Sequence, residues 1–342
     1  MRFQNCYAWL FMAAWLCFAP VNGWSAEVIA PVPANEASLK ERLNRIFAGE
    51  APTGLDDLRS MQNHVKELSN KLMPMTVGVR IGEAWGSGVI VSKDGYVLTA
   101  AHVAGKANAE VAFVMHDGRI LKGKTLGLNR TIDAGIMKIG EGGEFPFVEM
   151  GASQSLKEGQ WCLALGHPGG YSKQRGIVVR LGRVIYSDEG AITSDCTLVG
   201  GDSGGPLFDM EGRVIGINSR IAGALTANLH VPVNTFRDTW DRLVKAEVWG
   251  HFPGQEPVLG VRGDDSSNAR VASVGKGSAA EKAGIQVGDI ILKLDDKEIT
   301  EFKALQSAVL EHQPNDRITL RLQRGEQMID ATVVLGRRAN AE

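Results

Sequence analysis

Ser203 stands in the stretch VGGDSGGPLF (199–208), with two glycines before the Asp202–Ser203 pair and two after it. A serine hydroxyl is a weak nucleophile at neutral pH and needs a neighbouring base, most often an imidazole. The imidazole in turn needs a group, such as a carboxylate, that orients its ring. The stretch therefore predicts nucleophilic chemistry if a histidine and a carboxylate are presented elsewhere in the chain.

Two residues have suitable positions. His102 lies in VLTAAHVAG, where a strand ends and a loop begins, and Asp133 lies in NRTIDAGIMKIG, directly before an apolar strand. Taken singly, a histidine near a strand end is more often structural, and an aspartate in a turn commonly caps a strand start. Together with Ser203 they supply a base, an orienting carboxylate and a nucleophile.

The glycines around Ser203 fit the same chemistry. The oxyanion of a tetrahedral intermediate needs backbone N–H donors aimed at it. Gly201 allows the turn that points its own N–H and that of Ser203 the same way, and the following glycines leave room for a peptide. We predict that Gly201 and Ser203 form an oxyanion hole.

The elements that must position these residues are short strands. From residue 75, about twelve β-rich runs follow one another without intervening helices, mostly separated by Gly, Asp, Asn or Pro. This pattern predicts a mainly β domain, a sandwich or a pair of barrels, over 75–249, closed by a helix at 235–249. An arm at 27–74 is predicted to be helical, serving either oligomer contact or packing on the next domain.

After this domain the composition changes. GHFPGQEP (250–257) has the proline and glycine content of a linker, and 258–338 reads as a small β-rich domain with short helices. At the other end, residues 1–26 have the charged start, short apolar run and small-residue exit of a cleavable signal peptide, with a membrane anchor as the alternative. Cleavage would follow Gly23 or Ala26, and the chain would be exported, to the periplasm or another extracytoplasmic compartment.

The composition limits the kinds of ligand and partner that the chain is expected to bind. With a net charge of -2 and no long basic run, the chain offers no surface typical of nucleic-acid binding. We expect no cofactor and no metal, because the His and Cys residues lack ligand spacing. Cys162 and Cys196 remain after removal of the leader, and they either pair as a disulfide or fill space as small buried groups.

Three segments, TAAHV, DAGIMKI and GDSGGP, resemble the active-site segments of the chymotrypsin-like serine proteases, and 258–338 resembles a PDZ domain. With the leader, the chain resembles the HtrA/Deg family of exported quality-control proteases over about residues 75–336. The resemblance implies a chymotrypsin-like double six-stranded β-barrel, then a PDZ domain built as a β-sandwich with two helices. The helical N-terminal arm precedes both.

The resemblance also implies roles. His102 would be the general base, Asp133 its orienting carboxylate and Ser203 the nucleophile of a serine endopeptidase acting on misfolded or unfolded proteins. Ser219 would support the buried aspartate. The expected substrate-binding positions are Thr197, Asn218, Ser219 and Arg220. The resemblance implies a homo-oligomer, a trimer in relatives.

Two departures from the family pattern concern the active site. Asp202 stands where the family usually has Asn, which adds a charge beside the nucleophile. Thr197 stands where trypsin-type pockets hold an Asp, so we expect a medium apolar residue at the cleavage site rather than Lys or Arg. The segment LGHPGGYSKQRG (165–176) lies at the position where the family has a regulatory loop near the oxyanion hole.

PDZ domains bind a peptide as an added β-strand and capture its terminal carboxylate in a backbone nest. Leu259, Gly260 and Val261 would form this nest, and Leu305 and Val309 on a later helix would face the peptide, unless they are simply core. A different reading of the whole chain is a non-proteolytic peptide-binding chaperone or adaptor whose active site is vestigial or resting.

Overall fold

Twelve short strands between residues 76 and 232 form two closed barrels of six strands each in the computed structural model. The structure describes residues 36–140, 143–221, 227–264 and 268–338. The predicted signal peptide and the start of the arm lie outside these residues. The chain divides into two compact units, Met1–Glu41 and Arg42–Glu342, and the barrels and the C-terminal domain belong to the second.

The first barrel has the strand order β1-β2-β3-β6-β5-β4 and closes where β4 pairs with β1. Glycines and β-branched residues suit these short, tightly curved strands. Its strands are β1 Thr76–Ile81, β2 Ala84–Ile90, β3 Tyr96–Ala100, β4 Glu110–Val114, β5 Ile120–Asn129 and β6 Ala134–Ile139.

The second barrel has the order β10-β11-β12-β9-β8-β7 and carries the serine segment just before β10. Its strands are β7 Trp161–Gly166, β8 Val178–Ser187, β9 Ile192–Ser194, β10 Pro206–Phe208, β11 Val214–Ile221 and β12 Asn228–Pro232. The predicted mainly β double barrel is confirmed.

Helices precede, interrupt and follow the barrel strands along the chain, and two of them lie in the C-terminal domain. They are α1 Glu36–Phe47, α2 Leu55–Leu72, α3 Ala101–Ala104, α4 Val233–Asp238, α5 Trp240–Val244, α6 Ala279–Lys282 and α7 Phe302–Val309. Leu68 and Leu72 of α2 belong to one buried apolar cluster with Phe208 and Val214 of the second barrel. This part of the arm thus packs on the second barrel, which is the second of the two roles expected from the sequence.

The single helix predicted at 235–249 is instead two short helices and a strand. The chain leaves helical geometry at Thr239, between α4 and α5, and β13 (Val248–Trp249) then pairs in parallel with β5. Phe236 and Leu243 remain fully buried, so the apolar pattern correctly marked the packed face.

The C-terminal domain combines small sheets with α6 and α7. A four-stranded sheet has the order β18-β17-β19-β20, and two-stranded pairs join β14 to β21 and β15 to β16. The strands are β14 Pro257–Val258, β15 Val261–Gly263, β16 Val271–Val274, β17 Ile290–Leu294, β18 Lys297–Glu298, β19 Arg317–Arg324, β20 Gln327–Val334 and β21 Gly336–Arg337. Its apolar core is a buried cluster of its own.

Candidate active site

Asp133 and His102 are joined by two hydrogen bonds within the first barrel. Asp133 Oδ1 accepts the backbone N–H of His102 at 2.9 Å, and Asp133 Oδ2 lies 2.8 Å from His102 Nδ1. An ionised carboxylate only accepts hydrogen bonds, so the ring proton sits on Nδ1 and leaves Nε2 as the basic nitrogen. Asp133 adopts a left-handed backbone with φ 62°, which places it at a tight turn directly before β6.

The surroundings of Asp133 keep it ionised. Burial alone raises the pKa of a carboxyl group, and it is the largest single influence here. The hydrogen bonds from His102 and from the Ser219 hydroxyl, the latter 2.6 Å long, together outweigh burial and hold the pKa of Asp133 below its usual value. A negative carboxylate therefore lies behind the imidazole, where it stabilises an imidazolium.

Ser203 shares a cavity with His102. The cavity holds about 240 Å³ and is also lined by Trp85 and Gly201. In the structure Ser203 Oγ donates its hydrogen bond to the carbonyl of Ser219 at 3.2 Å. The imidazole of the first barrel and the hydroxyl of the second thus line the same cavity, and the hydroxyl is hydrogen-bonded to β11.

The turn before Ser203 requires glycine. Gly201 has φ 95°, and a Cβ there would come within 2.5 Å of the His167 carbonyl oxygen. Within the described residues, no hydrogen-bond acceptor takes the N–H of Gly201 or of Ser203. Both donors are therefore available to a ligand, as an oxyanion hole requires.

Ser87 on β2 contacts the serine loop, which sequence reasoning did not predict. Its hydroxyl donates to the Gly201 carbonyl at 2.8 Å and accepts the His167 N–H at 3.0 Å, while its own N–H donates to the Ser203 carbonyl at 2.8 Å. It ties the serine loop to the other barrel. The only sequence signal was its position between Gly86 and Gly88, where small residues allow close approach.

Asn218 was expected on the edge that pairs with substrate, and the structure places it inside. It is fully buried, and its N–H and carbonyl are engaged by Gly205 and Gly204. Its side-chain amide donates to the Leu165 and Asp202 carbonyls, and its oxygen lies 2.9 Å from Nδ1 of buried His230. Asn218 braces the serine loop from within rather than offering backbone to a peptide.

The other predicted substrate-binding residues are dispersed. Thr197 and Arg220 are exposed, whereas Ser219 is buried with its hydroxyl on Asp133. Neither Thr197 nor Arg220 lines the cavity that His102 and Ser203 share.

The predicted PDZ residues come together around a second cavity of about 340 Å³, which Leu259, Gly260, Val261, Leu305 and Val309 line. The Leu259, Leu305 and Val309 side chains are also largely buried in the domain core. In the described part of the chain no carbonyl takes the N–H of Leu259 or Gly260. These donors are therefore free to bind a ligand.

The remaining sequence expectations concern cysteines, metals and membranes. The Sγ atoms of Cys162 and Cys196 lie 3.9 Å apart, unbonded, and both residues are buried. Among the residues described, no three His, Cys, Asp or Glu side chains are placed to hold a metal ion. None of the described helices is long and apolar enough to cross a membrane.

The comparisons with known proteins agree with this architecture. Residues 86–217 match the trypsin-like peptidase domain, and residues 257–335 match the PDZ domain. A protein of Ectopseudomonas mendocina (strain ymp), named "Probable periplasmic serine endoprotease DegP-like", is 33% identical over 334 residues that cover 91% of this chain and 69% of that protein. The chain belongs to the DegP-like serine endoprotease family.

Other members of the DegP-like family are longer than this chain. The relative of the same name from Pseudomonas putida (strain GB-1) is 35% identical over 299 residues, which cover 80% of this chain and 61% of the relative. This chain thus spans about three fifths of the length of that relative. The crystal structure of the serine endoprotease from Yersinia pestis has the same fold, with a TM-score of 0.52 and 24% identity over 84% of this chain and 99% of that one.

Proposed function

We propose that this chain is an exported serine endopeptidase that hydrolyses peptide bonds of unfolded or misfolded proteins, with His102, Asp133 and Ser203 as its catalytic triad. The observation that carries the proposal is the His102–Asp133 contact, because it requires the proton of the neutral ring on Nδ1 and so directs Nε2, as the acceptor, to the cavity that also holds the Ser203 hydroxyl. Membership of the DegP-like family supports the same activity.

The chemistry follows from the geometry. When Ser203 Oγ rotates from the Ser219 carbonyl toward His102, Nε2 takes its proton and Oγ attacks the peptide carbonyl. The N–H groups of Gly201 and Ser203 stabilise the oxyanion of the tetrahedral intermediate. The imidazolium then gives its proton to the leaving amine. A water molecule, deprotonated by the same nitrogen, hydrolyses the acyl-enzyme and regenerates the serine.

The PDZ domain would bind peptide C-termini for substrate capture or regulation. Leu259 and Gly260 supply free N–H donors for a carboxylate, and Val261 begins the strand β15, beside which a peptide strand would add. The apolar lining from α7 favours an apolar terminal residue. By family resemblance we extend the proposal to a periplasmic location and to a homo-oligomer, a trimer.

One observation favours the alternative, a peptide-binding chaperone or adaptor with a resting site. Ser203 Oγ is bonded to the Ser219 carbonyl rather than to His102. A protein that binds chains without cleaving them would keep its serine in this position.

Cleavage of casein by the purified mature protein distinguishes the two. We expect proteolysis and labelling of the wild type by a serine-reactive phosphonate, both lost in Ser203→Ala, which should fold with an unchanged thermal unfolding temperature. If the wild type neither cleaves casein nor reacts with the phosphonate, even with PDZ-binding peptides added, the protease proposal fails and the adaptor stands.

A further inference from the structure

We propose that Arg180 is a positioning residue for the nucleophile: through an ion pair with the buried carboxylate of Asp202 it holds the 199–204 loop in the conformation that presents Ser203 and the Gly201 N–H. The inference rests on the proposed function, because it assigns the loop a role in the same reaction. Arg180 lies on β8, more than twenty residues before the serine, and nothing in the local sequence connects the two.

The geometry of the loop centres on the Asp202 carboxylate. Asp202 is fully buried between Gly201 and Ser203, and its Oδ2 lies 2.9 Å from Nη2 of Arg180. The same oxygen accepts the Val199 N–H at 3.0 Å, and the Asp202 N–H donates to the Val199 carbonyl at 3.1 Å. The Asp202 carboxylate thus joins the two ends of the 199–202 turn, and Arg180 connects this turn to strand β8.

The Asp202 residue is closely packed on more than one side. Gly166, at the end of β7, lies against it, and a Cβ there would come within 2.6 Å of Asp202 Oδ1. From the other side, Asn218 Nδ2 donates to the Asp202 carbonyl at 3.3 Å. Because Asp202 is bonded covalently to both neighbours, displacement of its side chain would turn the peptide units that carry the Gly201 and Ser203 N–H groups.

The Arg180–Asp202 ion pair contributes little to the net stability of the fold. Burial raises the pKa of Asp202, and the Val199 N–H and Arg180 only partly oppose it. Asp202 Oδ1 and Arg180 Nη1 have no hydrogen-bond partner among the described residues. A buried ion pair with unsatisfied atoms contributes little net stability, yet loss of one partner leaves an uncompensated buried charge. In a variant without Arg180 that unpaired charge would lie at the residue next to the nucleophile, and its relief would move the loop that carries Ser203.

Three variants test the proposal: Arg180→Met, Asp202→Asn and the double variant. On a fluorogenic peptide cut by the wild type, we expect Arg180→Met to lower kcat about 100-fold with KM within about twofold, since oxyanion donors act in the transition state. Phosphonate labelling should slow to the same extent. The double variant should recover most of the lost kcat, because a neutral amide needs no cation beside it.

A matched control separates positioning from general stability. Arg213 pairs at 2.8 Å with the buried carboxylate of Asp209 in the turn between β10 and β11. Arg213→Met should lower the unfolding temperature without a change in kcat. Should Arg180→Met fail to fold, Arg180→Lys carries the test, with an expected loss of about tenfold in kcat because the compact ammonium lacks the planar guanidinium geometry.

The two proposals fail in different ways. An inactive, unlabelled wild type overturns the proposed function. An active wild type overturns the inference if the folded Arg180 single variant has wild-type kcat and labelling rate, or if its deficit persists undiminished in the double variant.

Discussion

At the scale of single residues, the candidate chemistry depends on the hydrogen bonds that the Asp133 carboxylate accepts. Both of its oxygens accept hydrogen bonds, from the backbone and ring of His102 and from the Ser219 hydroxyl. These bonds outweigh the effect of burial and lower the pKa of Asp133. The lowered pKa contributes stability above the unfolded-state pKa, and that contribution is lost as the pH falls through the folded-state value.

Ser219→Ala tests this arrangement. Loss of the hydroxyl should raise the pKa of Asp133 and loosen the imidazole, lowering kcat about tenfold, with acid-induced loss of stability beginning at a higher pH. Steady-state kinetics and urea unfolding between pH 3 and 7 would measure both.

Ser153→Ala is the matched control. Ser153 is equally buried, and its hydroxyl is hydrogen-bonded to Asn234, which has no part in the triad. It should cost about 1 kcal/mol of stability and leave kcat unchanged. Equal kcat in the two serine variants would contradict the role given to Ser219.

At the scale of elements, the proposed binding of a carboxylate by the PDZ domain depends on the loop between β14 and β15. Gly260 has φ 84°, and a Cβ there would lie 2.3 Å from the Ser278 Cβ, at the N-cap of α6. The loop can approach α6 only because this residue is glycine. The free N–H groups of Leu259 and Gly260 depend on that approach.

Gly260→Ala should therefore displace the loop and weaken binding of a peptide with an apolar C-terminus by at least about tenfold, measured by fluorescence anisotropy with the full chain. Gly277→Ala is the control, since Gly277 also has a positive φ of 73° but an added Cβ would meet no atom within 4 Å. Equal affinity in the two variants would mean that the loop geometry does not govern the groove.

At the scale of the whole molecule, two buried histidines make stability depend on pH. Burial lowers the pKa of His167 to about 4 and that of His230 to about 3. Both ring nitrogens of His167 lack a partner among the described residues. Between pH 6.5 and 4 the unfolded chain binds these protons and the folded chain does not, so stability falls as the pH is lowered.

His167→Phe should flatten this dependence, by up to about 1.4 kcal/mol per pH unit between pH 6 and 4.5, because one buried group no longer has to remain neutral. The free energy of unfolding in urea at several pH values measures it, with pH 8 as the reference at which both proteins lack the charge. Parallel curves for wild type and variant would contradict the prediction.

Much of the architecture could be read from local patterns. Twelve β-rich runs were expected, and twelve strands form the two barrels, because alternation and turn residues are properties of neighbouring positions. The helix predicted at 235–249 was an exception. Its apolar face was predicted correctly, but helical geometry is interrupted at Thr239, and the segment ends in β13, which pairs with the distant strand β5. A pattern along the chain carries no information about such a partner.

The sequence by itself determined a mainly β domain followed by a small β-rich one, with the double barrel and the PDZ domain implied by resemblance, and which three segments could supply a base, a carboxylate and a nucleophile. Only the tertiary structure decided how they are held: Asn218 turned inward to His230, Ser87 reaching across from the first barrel, and Arg180 paired with Asp202. These contacts join residues on different strands, and barrel closure and side-chain burial bring them within hydrogen-bond distance. A buried charge or amide is shielded from water, so it needs a hydrogen-bond partner within the protein. That partner can lie on any strand that the fold brings near.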